Sequence, residues 1–255
     1  MRQYKNDLID YDIGLCSLLY SPPDYGKTYS AGTLPEPIAF INCEQKDPRL
    51  VLANCKKDIT FFEFESFYDE METIAGWVDQ AKAGTFGYKS AFSDGLTFTM
   101  SQYKLKLEDD RYEARTIKKE ARPGLTDRFR LDQSDWGTVN SMMARRTGLL
   151  NRLSKFGVIV VVTAIAQDNP KWNMELGCGP ALQGKEYASL VQGYFDLIGL
   201  IVEPWKIVDG VIRPPMVSFA SEDGRFLARV TGDRLAQKSR GPLDWTKIIN
   251  LVRGK

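Results

Sequence analysis

Gly26-Lys27-Thr28 is the triplet with the clearest chemistry in this chain, because a turn precedes it and apolar runs flank it. From Ile13 the stretch reads IGLCSLLY, SPPDYGKT, YSAGTLPEP and IAFINCE, ending at Glu44. A continuous β-compatible run suits a strand buried on both faces of a parallel sheet. Pro22 and Pro23 cannot continue that strand, so the chain turns there. A short helix follows, closed by Pro35 and Pro37 before IAFINCE resumes the sheet. Strand, turn ending in G-K-T, helix and strand are the setting of a phosphate-binding P-loop, in which backbone N–H groups cradle phosphate oxygens. That reading assigns Ser21, Pro22, Pro23, Asp24, Tyr25, Gly26, Lys27, Thr28 and Tyr29 to nucleotide binding. Lys27 would reach the β/γ-phosphates and the Thr28 hydroxyl would sit on Mg²⁺. Two positions depart from the usual pattern, Ser21 and Asp24 standing where glycines are common. Asp tolerates left-handed backbone, but its carboxylate repels a polyphosphate unless turned outward.

Hydrolysis needs an acid for the metal and a group that activates water. Asp94 follows the strand-like YKSAFS and is expected at the C-terminal edge of the sheet, where ligands sit in such folds. The alternative for Asp94 is a helix cap or an Asp-Gly turn. Glu44 ends the strand after the P-loop helix and emerges on the same rim, either as a base toward the γ-phosphate or as an exposed strand-end carboxylate. Gln167 ends VIVVVTAIAQ and is positioned to sense the γ-phosphate.

The elements that must hold these groups alternate. A short helix and loop lead to ITFFEFES, and Phe67 to Ala83 has helical apolar spacing and ends at Gly84. Residues 101–133 form a charged insertion, basic between Arg111 and Arg130, either a solvated face or a nucleic-acid contact through Lys118 and Lys119. Ser134 to Lys155 reads as a helix capped by Ser134 or Asp135, and it delivers the chain to FGVIVVVTAIAQ. EYASLVQGYF reads as helix and DLIGLIVE as strand; MVSFA and FLARVTG read as an antiparallel hairpin, and Asp244 starts a last helix. The expectation is one α/β domain over residues 1–255, with a mostly parallel central sheet flanked by helices and a C-terminal antiparallel hairpin.

Composition sets the bounds. The 255 residues carry 43% hydrophobic and 26% charged side chains and a net charge of +1, ordinary for a globular chain without a uniformly basic surface. There are 0 histidines, which removes Ser-His-Asp and Cys-His catalysis and imidazole metal ligation together. The four cysteines form no C-x-x-C pair and read as reduced thiols. MRQYKNDLID is too polar for a signal peptide, and VIVVVTAIA is too short to span a bilayer, so a cytoplasmic protein without membrane contact is expected.

SPPDYGKT followed by IAFINCE, with FSDGLT around Asp94 and a strand-end Gln167, resembles the core of RecA-type ATPases. DWGTVNSMM, GPALQGKEYASL and YFDLIGLI extend the likeness to small phage RecA-like nucleotide-binding proteins of single-strand annealing and recombination. The resemblance implies a RecA-like P-loop NTPase core and ATP and Mg²⁺ as cofactors. It further implies Glu44, Lys27 and Gln167 as catalytic residues, and Thr28 and Asp94 as metal holders. Partners would be single-stranded DNA, further copies in a homo-oligomer and a single-strand binding protein, in the host cytoplasm if phage-encoded. It places DNA at the loop from Asp168 to Gly184, with Lys171 and a stackable Trp172, against the alternative of Trp172 packed under its own loop. It also makes Arg225, Arg229 and Arg234 candidates to complete a neighbouring subunit's site. Two rivals are a non-hydrolysing nucleotide-binding interaction module and a P-loop small-molecule kinase.

Overall fold

The structure, a computed structural model, describes residues 14–44, 46–118, 131–184, 186–209, 211–221, 223–230 and 238–253. Six parallel strands form the centre of the sheet. β1 (Leu15–Ser21), β2 (Ile38–Asn42), β3 (Ile59–Phe62), β4 (Ser90–Asp94), β5 (Ile159–Asp168) and β7 (Leu197–Glu203) lie in the order β7-β1-β5-β4-β2-β3. Every residue of β1 is buried, as its unbroken apolar run requires. Because the six run one way, Ser21, Asn42 and Asp94 end their strands at one edge, with Ser21 level with Ile165 and Asn42 level with Asp94.

Both faces are covered. On one, α2 (Phe67–Ala83), α3 (Leu96–Ile117) and α4 (Gln133–Ser154) bury Ile74, Trp77, Met100, Met143 and Leu150 against Leu18 and Ile41. On the other, α6 (Trp245–Arg253) and the residues after the turn that follows β1, Ala31 and Leu34 among them, cover Leu19 and Phe40. Helix α1 is one turn, Pro48–Val51, and α5 spans Glu186–Leu190 before a 3₁₀ turn over Val191–Tyr194.

Several expectations hold closely. Helix α2 has the expected bounds, and Gly84 ends it at φ 74°, in the left-handed region glycine favours. Others need correction. The element after Thr28 is a six-residue 3₁₀ helix, Thr28–Thr33, because Gly32 and Pro35 leave no room for a longer one. Asp132, rather than Ser134 or Asp135, caps α4; its carboxylate accepts from the N–H groups of Ser134 and Asp135, and Asp135 reciprocates to Asp132 N. Residues 101–117 continue a helix that begins at Leu96 and buries Tyr103 and Glu108, so the charged stretch starts as part of the core layer.

The terminal antiparallel pair exists, but FLARVTG is not its second strand. β10 (Met216–Ser218) pairs with β7 and with β11 (Arg240–Pro242), whereas Phe226 and Arg229 make isolated bridges to Cys178 and Ile198. Two short hairpins went unforeseen. β6 (Cys178–Pro180) folds back on the end of β5, and β8 (Lys206–Val208) pairs with β9 (Val211–Arg213). Trp172 is half-buried over Gly179, whose missing Cβ would stand 3.0 Å from the indole, so that ring closes the β5–β6 loop.

β1 enters the sheet against the end of α4. A Cβ on Gly14 would stand 2.2 Å from Ser154 O and 2.3 Å from Val158 O, backbone atoms that cannot swing aside. Gly14→Ala is therefore expected to destabilise the fold by about 1–3 kcal/mol, read as a lower urea midpoint at unchanged slope. An unchanged midpoint would show that this end of β1 is free to shift.

Candidate functional site

The ends of β2 and β4, Ile165 of β5 and the turn after β1 enclose a cleft of 630 Å³ lined by Pro23, Asp24, Gly26, Lys27, Thr28, Tyr29, Asn42, Glu44, Asp94, Phe98, Ile165 and Trp205, with Lys46, Asp47, Pro48 and Val51 at α1. Lys27, Thr28, Glu44 and Asp94 therefore share one cavity. Of the other nucleotide-binding candidates, Ser21 and Pro22 lie beneath the lining, and Tyr25 packs into the core on the α6 side.

The turn takes left-handed backbone at Asp24, φ 63°, and at Gly26, φ 92°. Asp24 supplies the first of these as its residue type allows, and its side chain is exposed at the cleft. At Gly26 a Cβ would stand 2.8 Å from the Pro215 ring and 3.4 Å from the Trp205 indole. Glycine there lets the loop after β7 close over the turn.

Lys27 is buried, with its ammonium held by the turn itself. Nζ donates to Ser21 O at 3.1 Å, Ser21 Oγ at 3.1 Å and Pro22 O at 2.9 Å. Ser21, a departure from the glycine pattern, thus contributes an extra acceptor, and its hydroxyl proton goes to Pro22 O. Burial pulls the Lys27 ammonium below its ordinary pKa, while Asp94 and Glu44 act in the opposite sense.

Asp94 is 3% exposed and accepts from two hydroxyls, Thr28 Oγ1 to Oδ2 and Thr163 Oγ1 to Oδ1, both at 2.5 Å. It makes no cap on α3, whose N-cap is Gly95 without a side-chain bond. The Thr28 proton points at the carboxylate, which leaves the lone pairs of that hydroxyl oxygen free for a cation. A hydroxyl and a carboxylate are hard oxygen donors that fit Mg²⁺. Among the described residues no three His, Cys, Asp or Glu side chains cluster as a cage, so phosphate and water oxygens would fill the remaining positions. Bound there, Mg²⁺ would neutralise charge on the phosphates.

Glu44 lies two residues beyond β2, half-buried, its N–H donating to Asn42 Oδ1 at 3.2 Å. Burial raises its carboxyl above the ordinary range, and Asp94 adds to the rise. Behind both acids runs a buried polar chain. Arg146 Nε donates to Glu70 Oε1 at 2.7 Å, Arg146 Nη2 to Ser93 Oγ at 2.8 Å, and Tyr103 Oη to Glu70 Oε2 at 2.5 Å.

Gln167 is outside the cleft lining, level with Gly179 in the β5–β6 pair. Lys171 is exposed on the loop between those strands, and Trp172 donates Nε1–H to Pro180 O at 3.3 Å. Lys118 is exposed at the end of α3. Arg225 pairs with Asp223 at 2.8 Å and Arg229 Nη1 donates to Gln192 O at 2.8 Å, and neither lines this cleft. Lys119 and Arg234 lie outside the described residues. Thr163, Trp205 and Arg146 escaped the sequence reading. A lone Thr in VIVVVTAIA and an Arg in the apolar stripe of α4 were the available signals.

No protein-family model matches the chain, and no curated protein matches it in sequence. Among the described residues no helix is long and apolar enough to cross a membrane.

A carboxyl with a raised folded-state pKa contributes stability that is present below its unfolded pKa and lost as pH rises through the folded value. Glu44→Gln is therefore expected to raise the thermal midpoint near neutral pH, with the gain vanishing as pH falls to about 4.3. Melting curves across that range would check it; a lower midpoint at neutral pH would make Glu44 a structural group.

Proposed function

We propose that this chain is a Mg²⁺-dependent ATPase of RecA-like, phage type that acts on single-stranded DNA as an oligomer. The observation that carries the reading is the convergence in one cleft of a buried lysine in a P-loop turn, a Thr28–Asp94 pair open to a cation, and Glu44. A triphosphate seated on the turn draws the Lys27 ammonium from Ser21 and Pro22 toward its own oxygens. Glu44, held at the raised pKa described above, takes the proton of the attacking water. The half-exposed Trp205 and the apolar Val51 and Pro48 offer a wall for the nucleobase.

The cleft lining carries two lysines, Lys27 and Lys46, against four carboxylates, Asp24, Glu44, Asp47 and Asp94. A bare polyphosphate is repelled there, so nucleotide enters as its Mg²⁺ complex. Calorimetry is expected to show Mg-ATP binding that EDTA abolishes and that Lys27→Ala weakens by about 2–5 kcal/mol. Glu44→Gln is expected to keep that affinity and lose about 10²–10⁴-fold in turnover. Mg-ATP binding unchanged in Lys27→Ala would overturn the reading. Binding without turnover in the parent, with or without DNA, would favour a non-hydrolysing interaction module.

The DNA part rests on β5, which carries Ile165 in the cleft and three residues later opens the loop bearing exposed Lys171. Phosphate contacts release counterions, so single-strand affinity is expected to fall by about 0.7 log units per log unit of salt for each contact. Removing Lys118 or Lys171 would flatten that slope. Trp172→Ala would act mainly by loosening the loop, because the ring is committed to Gly179 and Pro180. Fluorescence anisotropy of a labelled oligonucleotide, with and without Mg-ATP, reads all three; no binding at low salt would remove DNA as the partner.

A further inference from the structure

Arg146 occupies an apolar-stripe position of α4, between Met143 and Leu150, yet its side chain is fully buried and charged. It reaches two strands at once. Nη2 donates to Ser93 Oγ at 2.8 Å and to Cys43 Sγ at 3.4 Å, and these are the residues immediately before Asp94 and Glu44. Its Nε is held by Glu70 of α2, whose other oxygen accepts from Tyr103 of α3. Gln102 of α3 adds a bond from Nε2 to Cys43 O at 2.9 Å. Three helices therefore meet two strand ends through one guanidinium.

The grip falls where the sheet stops providing one. The β2–β4 register ends at Asn42 and Asp94, and beyond it, among the described residues, the strands share only the bond from Cys43 N to Asp94 O, at 2.6 Å. Glu44 stands past that point. Stability alone does not call for an arginine here. Nη1 is buried without a hydrogen-bond partner among the described residues, and an apolar side chain would fill the site without desolvating a charge.

We propose that Arg146 is a positioning residue that, by holding Cys43 and Ser93 together, fixes the spacing between Glu44 and the metal-holding Asp94. The inference rests on the nucleotide-hydrolysing reading of the cleft. It predicts a division of effects that a purely structural ion pair would not produce. Lys27 and the turn lie outside the grip, so affinity for ATP at saturating Mg²⁺ is unaffected. The Mg²⁺ requirement and the hydrolytic step, which use Asp94 and Glu44, are affected.

The test uses the full chain carrying Arg146→Met with Glu70→Leu, which removes both charges and strands neither, together with Ser93→Ala, which leaves the ion pair intact and removes one grip. Circular dichroism and thermal melts establish folding. The expected result in the folded double variant is ATP affinity within about threefold of the parent at saturating Mg²⁺. Alongside it, the Mg²⁺ half-saturation concentration rises and the single-turnover rate falls, each by about 10–100-fold, with Ser93→Ala moving both in the same direction by less. Unchanged Mg²⁺ half-saturation and rate in a folded variant would overturn the proposal. If the double variant does not fold, Ser93→Ala decides by the same readouts. A parent that binds Mg-ATP without hydrolysing it would overturn the ATPase reading alone, and the Mg²⁺ half-saturation then judges Arg146. A parent that binds no nucleotide overturns both.

Discussion

The carboxylate of Asp94 is the joint on which this site depends. It is buried at the end of β4, between the hydroxyl of Thr28, just after the turn that follows β1, and a hydroxyl from the middle of β5. A carboxylate this deep is costly unless its oxygens accept hydrogen bonds, and each oxygen has a donor. The requirement works in both directions. Thr28 can reach Asp94 only because the turn delivers it above the sheet edge. Thr163 can reach it because β5 lies between β1 and β4. Even Gly95 follows from this, since a Cβ there would stand 2.9 Å from Thr163 Oγ1. Strand order, turn geometry and one glycine are thereby tied to a single charged group.

The second constraint is a conflict of charges that the fold leaves open. Lys27 and Glu44 both lie where burial works against their charged forms, and the attraction between them offsets only part of that cost. The ammonium is kept satisfied by carbonyl and hydroxyl oxygens of the turn. Such a lysine is stable without ligand and still able to exchange neutral acceptors for phosphate oxygens, whose full charge makes the stronger bond. Ser21 fits this role better than glycine would, because it supplies one of those acceptors.

What could be read in the chain divides along physical lines. That Lys27, Thr28, Glu44 and Asp94 share one edge was legible because Asp94 ends an apolar strand and the other three follow the ends of two more, and parallel strands bring their C-terminal ends to one edge whatever their order. The positions of β1, β2, β4, β5 and β7 were legible for the same reason. Thr163 was not, since its role depends on β5 being inserted between β1 and β4, a long-range choice no local pattern records. FLARVTG was misassigned because alternation marks a strand but does not name its partner, and β10 found closer partners in β7 and β11. Trp172 illustrates the limit for side chains. Its spacing in a Gly/Pro-rich loop is equally compatible with stacking on a base or packing over Gly179, and the glycine next to Pro180 made the second possible.

The short helix after the turn has a consequence for how the cleft would attract anions. Six residues of 3₁₀ helix carry little macrodipole, so the usual help from a long helix aimed at the phosphates is small here. Rigidity has to come from elsewhere, and α6 supplies it. Trp245 is fully buried, its indole N–H donates to Ser30 Oγ at 3.1 Å, and Ser30 Oγ donates to Lys27 O at 2.6 Å. Its backbone N–H donates to Thr33 Oγ1 at 2.9 Å, gripping the far end of the same turn. The lysine backbone is thus fixed from α6, while its side chain is fixed by the end of β1 and Pro22. A loop clamped at both ends holds its N–H groups in place before a ligand arrives, so little ordering entropy is lost on binding. In the proposed nucleotide complex, fixed N–H groups, Lys27 and a cation held by Thr28 and Asp94 would together replace the missing helix dipole as the source of positive potential.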